Sequence, residues 1–598
     1  MCGITGIYSF KSRNIIEFKK AVEKMNQSQF YRGPDDGGIF IDEKNGVALG
    51  HRRLSILDLS KAGHQPMKFG ESWITFNGEI YNFLELKKEL EIKSYKFKTK
   101  TDTEVILALY SEYGEKSFAM LRGMFAFGLW DGKNQKLFLV KDRYGIKPLY
   151  YYAGNGKLVF ASTVKALKNS GIVPIKKNQE AFIGFLLFGS VPLPFTTVKN
   201  IFAVPSGHYL EINSNSSPKI IKYYDLLDAF LKKSNDNFET AKNKIRNLLE
   251  ESIKLHLISD APLGVFLSGG LDSSAIAAMS ALNYQHKSDK ISANQRLITL
   301  SIIFDEEEFS EQKYQRLVVD RIKSNHKEIK IIKEDFKNGF EEIFEAMDQP
   351  TIDGVNTYFV SRAAKQAGLK AVLSGLGSDE IFMGYHYFRI VKFVRLAQKL
   401  MPGFVFSLLS KKGKWGRLQW LKEKHPFYSY IALRGIFSPA KTAEILKINE
   451  NEVWAAVKKL LDILPSEKEL EKLSAPDLHS YFDLNFYMAN QLLKDTDFMS
   501  MAHSVEIRVP FLDHVLVEYL SSLPVKVKLR GEINKLLLVE SVKDLLPQEI
   551  FNRPKMGFTF PFQKWLKESS SIANYQLPIT KVHWSRFWAK TVFNKFNK

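Results

Sequence analysis

The sequence predicts two large domains, a layered α+β domain followed by a parallel-sheet α/β domain with many added helices. Three observations carry this prediction. The chain has 598 residues, more than one hydrophobic core organises. Residues 1–210 alternate short apolar runs with turn signals, and helical patterns flank them. From Leu263 onward strands alternate with helices, the pattern of a parallel sheet covered on both faces.

In the first region, strands are expected at Gly3 to Phe10, Gly46 to Leu49, Ser72 to Asn77, Phe125 to Trp130, Lys136 to Lys141 and Lys157 to Ala161. Pro34-Asp35-Asp36-Gly37-Gly38, Asp131-Gly132 and Gly154-Asn155-Gly156 read as turns between them. Apolar spacing predicts helices at Ile16 to Met25, Phe83 to Leu90 and Thr103 to Tyr113. The polar stretch Asn213 to Pro218 reads equally as a boundary or as a hairpin turn, with Lys219 to Tyr223 returning as a strand. Residues 232–237 are the better break. Residues 211–237 thus read as a segment connecting a domain over 2–210 to one over 238–598.

Phe238 to Ile258 is a long amphipathic helix pattern. Strands follow at Leu263 to Leu267, Ile298 to Phe304, Glu328 to Ile332 and Ala371 to Ser374. Helices at Ser273 to Ala281 and Glu311 to Lys323 lie among them. Residues 380–598 read as mostly helical.

Composition narrows the function classes. With 45% hydrophobic and 25% charged residues the chain is ordinary globular protein, not a disordered, collagenous or coiled-coil one. A single cysteine excludes an internal disulfide and any multi-cysteine metal site, and it suits a reducing cytoplasm. The net charge of +20 is spread along the chain without a basic tail, so a solvated surface is expected, and no nucleic-acid partner. No targeting pattern precedes the first strand. Ala181 to Pro194 is too short to span a bilayer, and residues 387–410 are interrupted by Arg389, Lys392, Arg395, Lys399 and Pro402. These read as a helix and a turn, and no membrane insertion is expected.

Cys2 is the first candidate for chemistry. Removal of Met1 is expected to place its thiol beside a free α-amine. An α-amine titrates near ~7.7–8.0 and can accept the thiol proton near neutral pH. Such a thiol can attack a carboxamide, form a thioester and release ammonia. Asn77-Gly78 ends an apolar strand, and an Asn amide with the next backbone N–H suits an oxyanion hole. Arg53 offers a planar fork for a carboxylate. Asp102 suits an ammonium group, or else Thr101 or Asp102 simply caps a helix.

Ser268-Gly269-Gly270-Leu271-Asp272-Ser273-Ser274 follows an apolar strand and opens a helix. Two glycines let backbone fold around phosphate oxygens, and the serines and the helix N-terminus add donors. Asp272 can hold Mg²⁺ there. The spacing matches neither the P-loop nor the dinucleotide fingerprint.

Residues 1–210 resemble the glutaminase domain of class II glutamine amidotransferases. The likeness rests on Met1-Cys2-Gly3-Ile4, Arg32-Gly33-Pro34-Asp35-Asp36-Gly37, His51-Arg52-Arg53-Leu54-Ser55-Ile56, Asn77-Gly78-Glu79-Ile80-Tyr81-Asn82 and Arg143 to Leu149. It implies a four-layer αββα sandwich, Cys2 as nucleophile, Asn77 and Gly78 as oxyanion hole, and Arg53, Asn77, Gly78, Glu79 and Asp102 around bound L-glutamine. The Ser-Gly-Gly-x-Asp-Ser segment resembles the loop of the ATP pyrophosphatases, which cleave ATP between α and β phosphates.

With Ser374 to Phe382 and Glu506 to Asp513, the whole chain resembles the glutamine-hydrolysing asparagine synthetase family. That resemblance implies ATP and L-aspartate as substrates, with asparagine, glutamate, AMP and pyrophosphate as products. It places Leu267, Ser268, Gly269, Gly270, Asp272, Ser273, Ile302, Ser374 and Gly375 at ATP, and Asp272 and Asp379 on magnesium. Lys535 is then the lysine that stabilises charge on the forming adenylate. A homodimer and an internal ammonia channel are implied as well, with Asp483 to Met501 and the Arg508 segment as wall elements.

The resemblance has departures. Leu376 stands where many members carry glutamate, Ile303 where glycine is common, and Val539 where a basic residue is common. These leave three readings open: aspartate as acceptor, another carboxylate on a surface sugar or secondary metabolite, or a non-catalytic scaffold. A small polar pocket at the adenylate favours the first, and an open groove the second.

Overall fold

The computed structural model describes residues 2–10, 14–213, 217–285, 296–410, 413–553, 556, 560–562, 564–565 and 584–597. In its first part run β1 (Gly3–Ser9), β2 (Asp36–Asp42), β3 (Val47–Arg53), β4 (Met67–Phe69), β5 (Ser72–Ile80), β6 (Gly123–Asp131), β7 (Lys136–Lys141), β8 (Tyr150–Gly154), β9 (Lys157–Ala161), β10 (Ile201–Ala203), β11 (His208–Asn213) and β12 (Lys219–Lys222). They form two antiparallel sheets, ordered β10-β8-β9-β1-β3-β2 and β12-β11-β7-β6-β5-β4.

Side-chain alternation builds the layers. Successive strand residues point to opposite faces. Ile4 and Tyr8 of β1 therefore enter a core shared with Ala126, Trp130, Leu137 and Leu139 of the second sheet. Ile7 faces the other way and packs on Phe18, Val22 and Met25 of the helix Ile15–Ser28. On the far side of the second sheet, Phe76 and Phe127 pack against the helices Phe83–Ile92 and Asp102–Tyr113. Helix, sheet, sheet and helix make the expected four layers.

The segment Asp36-Gly37-Gly38, expected as a turn, is the start of β2. Asp36 pairs with Arg53 and Gly38 with His51 along β3. The glycines serve a close approach instead: a Cβ on Gly38 would lie 2.4 Å from the Gln65 carbonyl oxygen. Past β11 the chain returns as β12, with His208 opposite Lys222, the register of a hairpin. Residues 214–216 of that polar stretch lie outside the described residues.

The helix Phe238–His256 opens the second part, its first turn capped by Asn237, whose Oδ1 accepts from Thr240 N at 3.0 Å. Then come β13 (Leu263–Phe266), β14 (Ile298–Ile303), β15 (Asn325–Lys330), β16 (Ala371–Leu373) and β17 (Glu506–Arg508). All pair in parallel, in the order β15-β14-β13-β16-β17. Ile276 from the helix Leu271–Gln285 covers one face, and Ala363 and Ala364 from the helix Val355–Gln366 the other. The sheet's last strand comes after a long helical excursion from Ser378 to Met501.

Ion pairs, two of them buried, join the two parts. Arg32 clamps Asp497 with Nη1 at 2.7 Å and Nη2 at 3.2 Å. Arg122 grips Asp513 at 2.8 and 3.0 Å, and Lys370 reaches Asp35 at 2.7 Å.

Candidate active sites in the two domains

Strand β1 carries Cys2 at its head, buried against the end of β5. The Cys2 backbone N lies 2.8 Å from Asn77 Oδ1. With its oxygen so engaged, Asn77 Nδ2 is buried with no hydrogen-bond partner. A buried donor left unpaired beside a nucleophile is the arrangement an oxyanion hole requires. Phe76 N donates to Gln65 Oε1 at 2.8 Å and Ile80 N to Asp102 Oδ2 at 2.9 Å. The two-residue period of the strand therefore aims the Gly78 N–H at the same edge. Gly78 has φ +153°, and a Cβ there would meet the Met124 carbonyl oxygen at 2.1 Å. No other residue fits.

The charges around Cys2 come from both domains. Burial pushes the Cys2 thiol up, with the Leu54 backbone donor and the Arg53 charge opposing it. Burial also raises Asp102, to about 6, and Glu79 well above its usual range, the latter opposed by Arg508. Arg508 Nη2 lies 3.4 Å from Glu79, its Nε 2.6 Å from Glu506, and its Nη1 donates to the His256 and Ile258 carbonyls. Arg53 is buried too, but its fork holds the loop carbonyls of Leu57, Asp58 and Ser60 at 3.1, 2.5 and 2.9 Å. Thr101, not Asp102, caps the helix, and Asp102 is turned to the β5 edge.

The second site is a cavity of about 260 Å³ at the carboxyl ends of β13, β14 and β16, the usual place for a ligand in a parallel sheet. Leu267, Ser268, Asp272, Ser273, Ile302, Ser374, Gly375 and Asp379 all line it. Gly269 and Gly270 lie in the loop behind this wall. Arg553 Nη1 fixes that loop by donating to the Gly269 carbonyl at 2.8 Å, while its other nitrogen pairs with Glu311. Ser268 and Ser273 hydroxyls meet at 2.9 Å across the loop, and Ser268 Oγ accepts from Gly270 N at 3.3 Å.

Lys535 pairs with two of these lining residues, Asp272 and Asp379. Its Nζ lies 2.8 Å from both Asp272 oxygens, 2.7 Å from Asp379 Oδ1 and 3.2 Å from Ser378 Oγ. Burial works against its charge, but the two carboxylates prevail and raise it. Two aspartates converging on one cation suit Mg²⁺ shared with phosphate oxygens. Leu376 lines the same cavity, beside Leu300, Ile302 and Val360.

Several groups escaped the sequence reading. Arg32 donates through Nε to the Cys2 carbonyl at 3.1 Å and binds Asp497, a partner 465 residues away that no local pattern reveals. Glu380 is buried in the cavity, raised to about 7 by burial and by Asp379, and bonded to Tyr385 at 2.6 Å. It stood within the Ser374 to Phe382 motif, where its charge was the only signal. A Cβ on Gly384 would lie 2.1 Å from Asp379 Oδ1 and 2.2 Å from Lys535 Cε.

A buried cysteine beside an unpaired amide donor and an Asp-Lys-Asp cluster at the edge of a cavity stand in one chain. Residues 244–595 match the family described as Asparagine synthase, and residues 1–224 the Glutamine amidotransferase domain. The chain belongs to the asparagine synthase family. It is 33% identical to asparagine synthetase [glutamine-hydrolyzing] 1 of Bacillus subtilis, over 95% of this chain and 88% of that one. It is 30% identical to asparagine synthetase [glutamine-hydrolyzing] 3 of the same organism, over 95% and 89%. It is 29% identical to amidase chry2 of Gibberella zeae, over 94% and 90%. Family membership makes it a glutamine-hydrolysing ligase with a synthetase domain that uses ATP.

Proposed function

We propose that the chain makes L-asparagine from L-aspartate, with glutamine as nitrogen donor and ATP as activator. The observation that carries this reading is Lys535 held between Asp272 and Asp379, which line one cavity with Ser268 and Ser273 of the Ser-Gly-Gly loop. In the first domain the Cys2 α-amine takes the thiol proton, and the sulfur attacks the glutamine side-chain carbonyl. Asn77 Nδ2 and the Gly78 N–H receive the oxyanion. Ammonia leaves, and water then hydrolyses the thioester to glutamate. Asp102 and Glu79 face the glutamine ammonium.

In the second domain an aspartate carboxylate oxygen attacks the α-phosphorus of ATP and pyrophosphate departs into the serine loop. Lys535 offsets charge on the phosphoryl group. Asp272 and Asp379 would hold Mg²⁺, which supplies further neutralisation of the phosphates. Ammonia attacks the acyl carbon of the adenylate, AMP leaves, and the surplus proton is lost.

A second reading keeps the same chemistry and changes the acceptor to a larger carboxylate. An aromatic cavity of about 170 Å³, walled by Phe336, Phe560, Trp584 and Trp588 with Asp353, favours it. Asn356 lines that cavity and its neighbour Thr357 lines the ATP cavity, so one helix serves both. The deciding experiment is a product assay with ATP, Mg²⁺ and glutamine, with and without aspartate. Asparagine formed one for one with AMP supports the first reading. Glutamate and no asparagine rejects it in favour of the second.

A further inference from the structure

The helix Val391–Leu400 is folded with its apolar stripe outward. A surface helix of a globular protein normally turns that stripe to the core and its polar side to water. Here the buried side chains include Arg395 and Gln398. They are satisfied inside: Arg395 Nη1 donates to Gln398 Oε1 at 2.5 Å, and Gln398 Nε2 donates to the Glu423 carbonyl at 2.7 Å. Turned to solvent are Phe393, Leu396 and Leu400, exposed by 71, 54 and 73%. Their spacing of three and four residues makes a single stripe.

The surface continues past Pro402. On the next helix, Gly403–Ser410, Phe404 and Leu408 are exposed by 66 and 58%, and Trp415 beyond it by 48%. Exposed apolar rows of this kind mark an interaction site. Its charge setting says with what. Between Arg389 and Lys424 the sequence holds ten Lys and Arg and one acidic residue, Glu423; of these Arg395 is buried and Lys399 pairs with Glu471 at 3.0 Å. Lys392 and Lys399 are exposed on the same helix as the stripe. A second copy seated here would press cations against cations, which disfavours a self-interface. Exposed Phe and Leu on one helix face with Lys among them is the chemistry of helices that lie in an anionic bilayer surface.

We propose that the helix pair Val391–Ser410 docks this chain on an anionic lipid membrane, lying among the headgroups without crossing. Among the described residues no helix is long and apolar enough to cross one. The inward Arg395 and Gln398 fix the orientation, because reversing the helix would strand both in lipid.

The test is co-sedimentation of the full chain with vesicles of phosphatidylcholine alone, or of phosphatidylcholine with phosphatidylglycerol, at low and high salt. Binding to the mixed vesicles is expected, weaker to the neutral ones, and falling as salt rises. The triple change Phe393→Ser, Leu396→Ser, Leu400→Ser should lower partitioning at least about tenfold. Glutaminase rate and thermal midpoint should stay as in the parent, since the three side chains pack on nothing in the core. No sedimentation at low salt, or equal sedimentation of the triple variant, overturns the proposal. So does a concentration-dependent dimer that the variant abolishes, which would assign the stripe to a second copy.

Discussion

At the scale of single residues, the two sites depend on groups whose neighbours leave them one role. Cys2→Ala should abolish glutamine-driven product formation while added ammonium still supports it, as chromatography of the amino-acid products would reveal. Failure with ammonium in a folded variant would mean that the sites are not separate. Lys535→Met should slow pyrophosphate release by about 10²–10³, the usual cost of removing one charge-stabilising group, and leave glutamate release intact. Pyrophosphate release at the parental rate would remove Lys535 from the reaction.

On the proposed function, Asp102 ties glutamine binding to pH. Buried in the folded chain, it holds its proton up to about pH 6, whereas in an unfolded chain it loses it near ~3.9. Between those values folding takes up a proton, so the stability this group contributes is full below about 4 and lost as pH rises through about 6. Only the ionised form attracts an ammonium. The KM for glutamine should therefore fall as pH rises through about 6, and Asp102→Asn should flatten that dependence. An unchanged profile in the variant would assign the titration elsewhere.

Elements were legible in the sequence where they are long and where their period is plain. The helix Phe238–His256 and the strands β7 and β9 lie where their apolar spacing puts them. Strand β2 was hidden because its glycines look like a turn, and β17 because three residues carry no period. Most of the ATP cavity was legible because one loop and two strand ends supply it. The interdomain ion pairs were not, because their partners are set by tertiary packing alone. Breaking one such pair is a sharp test of an element's seating. Arg32→Ala leaves Asp497 buried and unpaired, a loss of about 3–5 kcal/mol, and unseats the Cys2 carbonyl. A lowered thermal midpoint with reduced glutaminase is expected. A variant as stable as the parent would show that Asp497 finds another partner.

Over the whole molecule, the contacts that join the domains include charges shielded from solvent, Arg32, Asp497 and Arg508 among them. Salt screens exposed pairs strongly and buried ones little. The ratio of glutamate to AMP formed should thus stay constant from about 0.1 to about 1 M salt, measured with both acceptor and donor saturating. A ratio that climbs with salt would mean a joint held by its exposed rim. Vesicle binding through Phe393 and Leu400 should instead fall as salt rises, because exposed cations are screened.

The reach of Arg32 across 465 residues also sets a timetable. The strand that carries the nucleophile leaves the ribosome long before the aspartate that anchors its neighbour is translated. At ~5–20 residues per second that interval lasts roughly half a minute to a minute and a half. Throughout it Arg32 lacks the carboxylate that it clamps in the finished chain. A protein released after residue 224 should accordingly hydrolyse glutamine far more slowly than the finished chain.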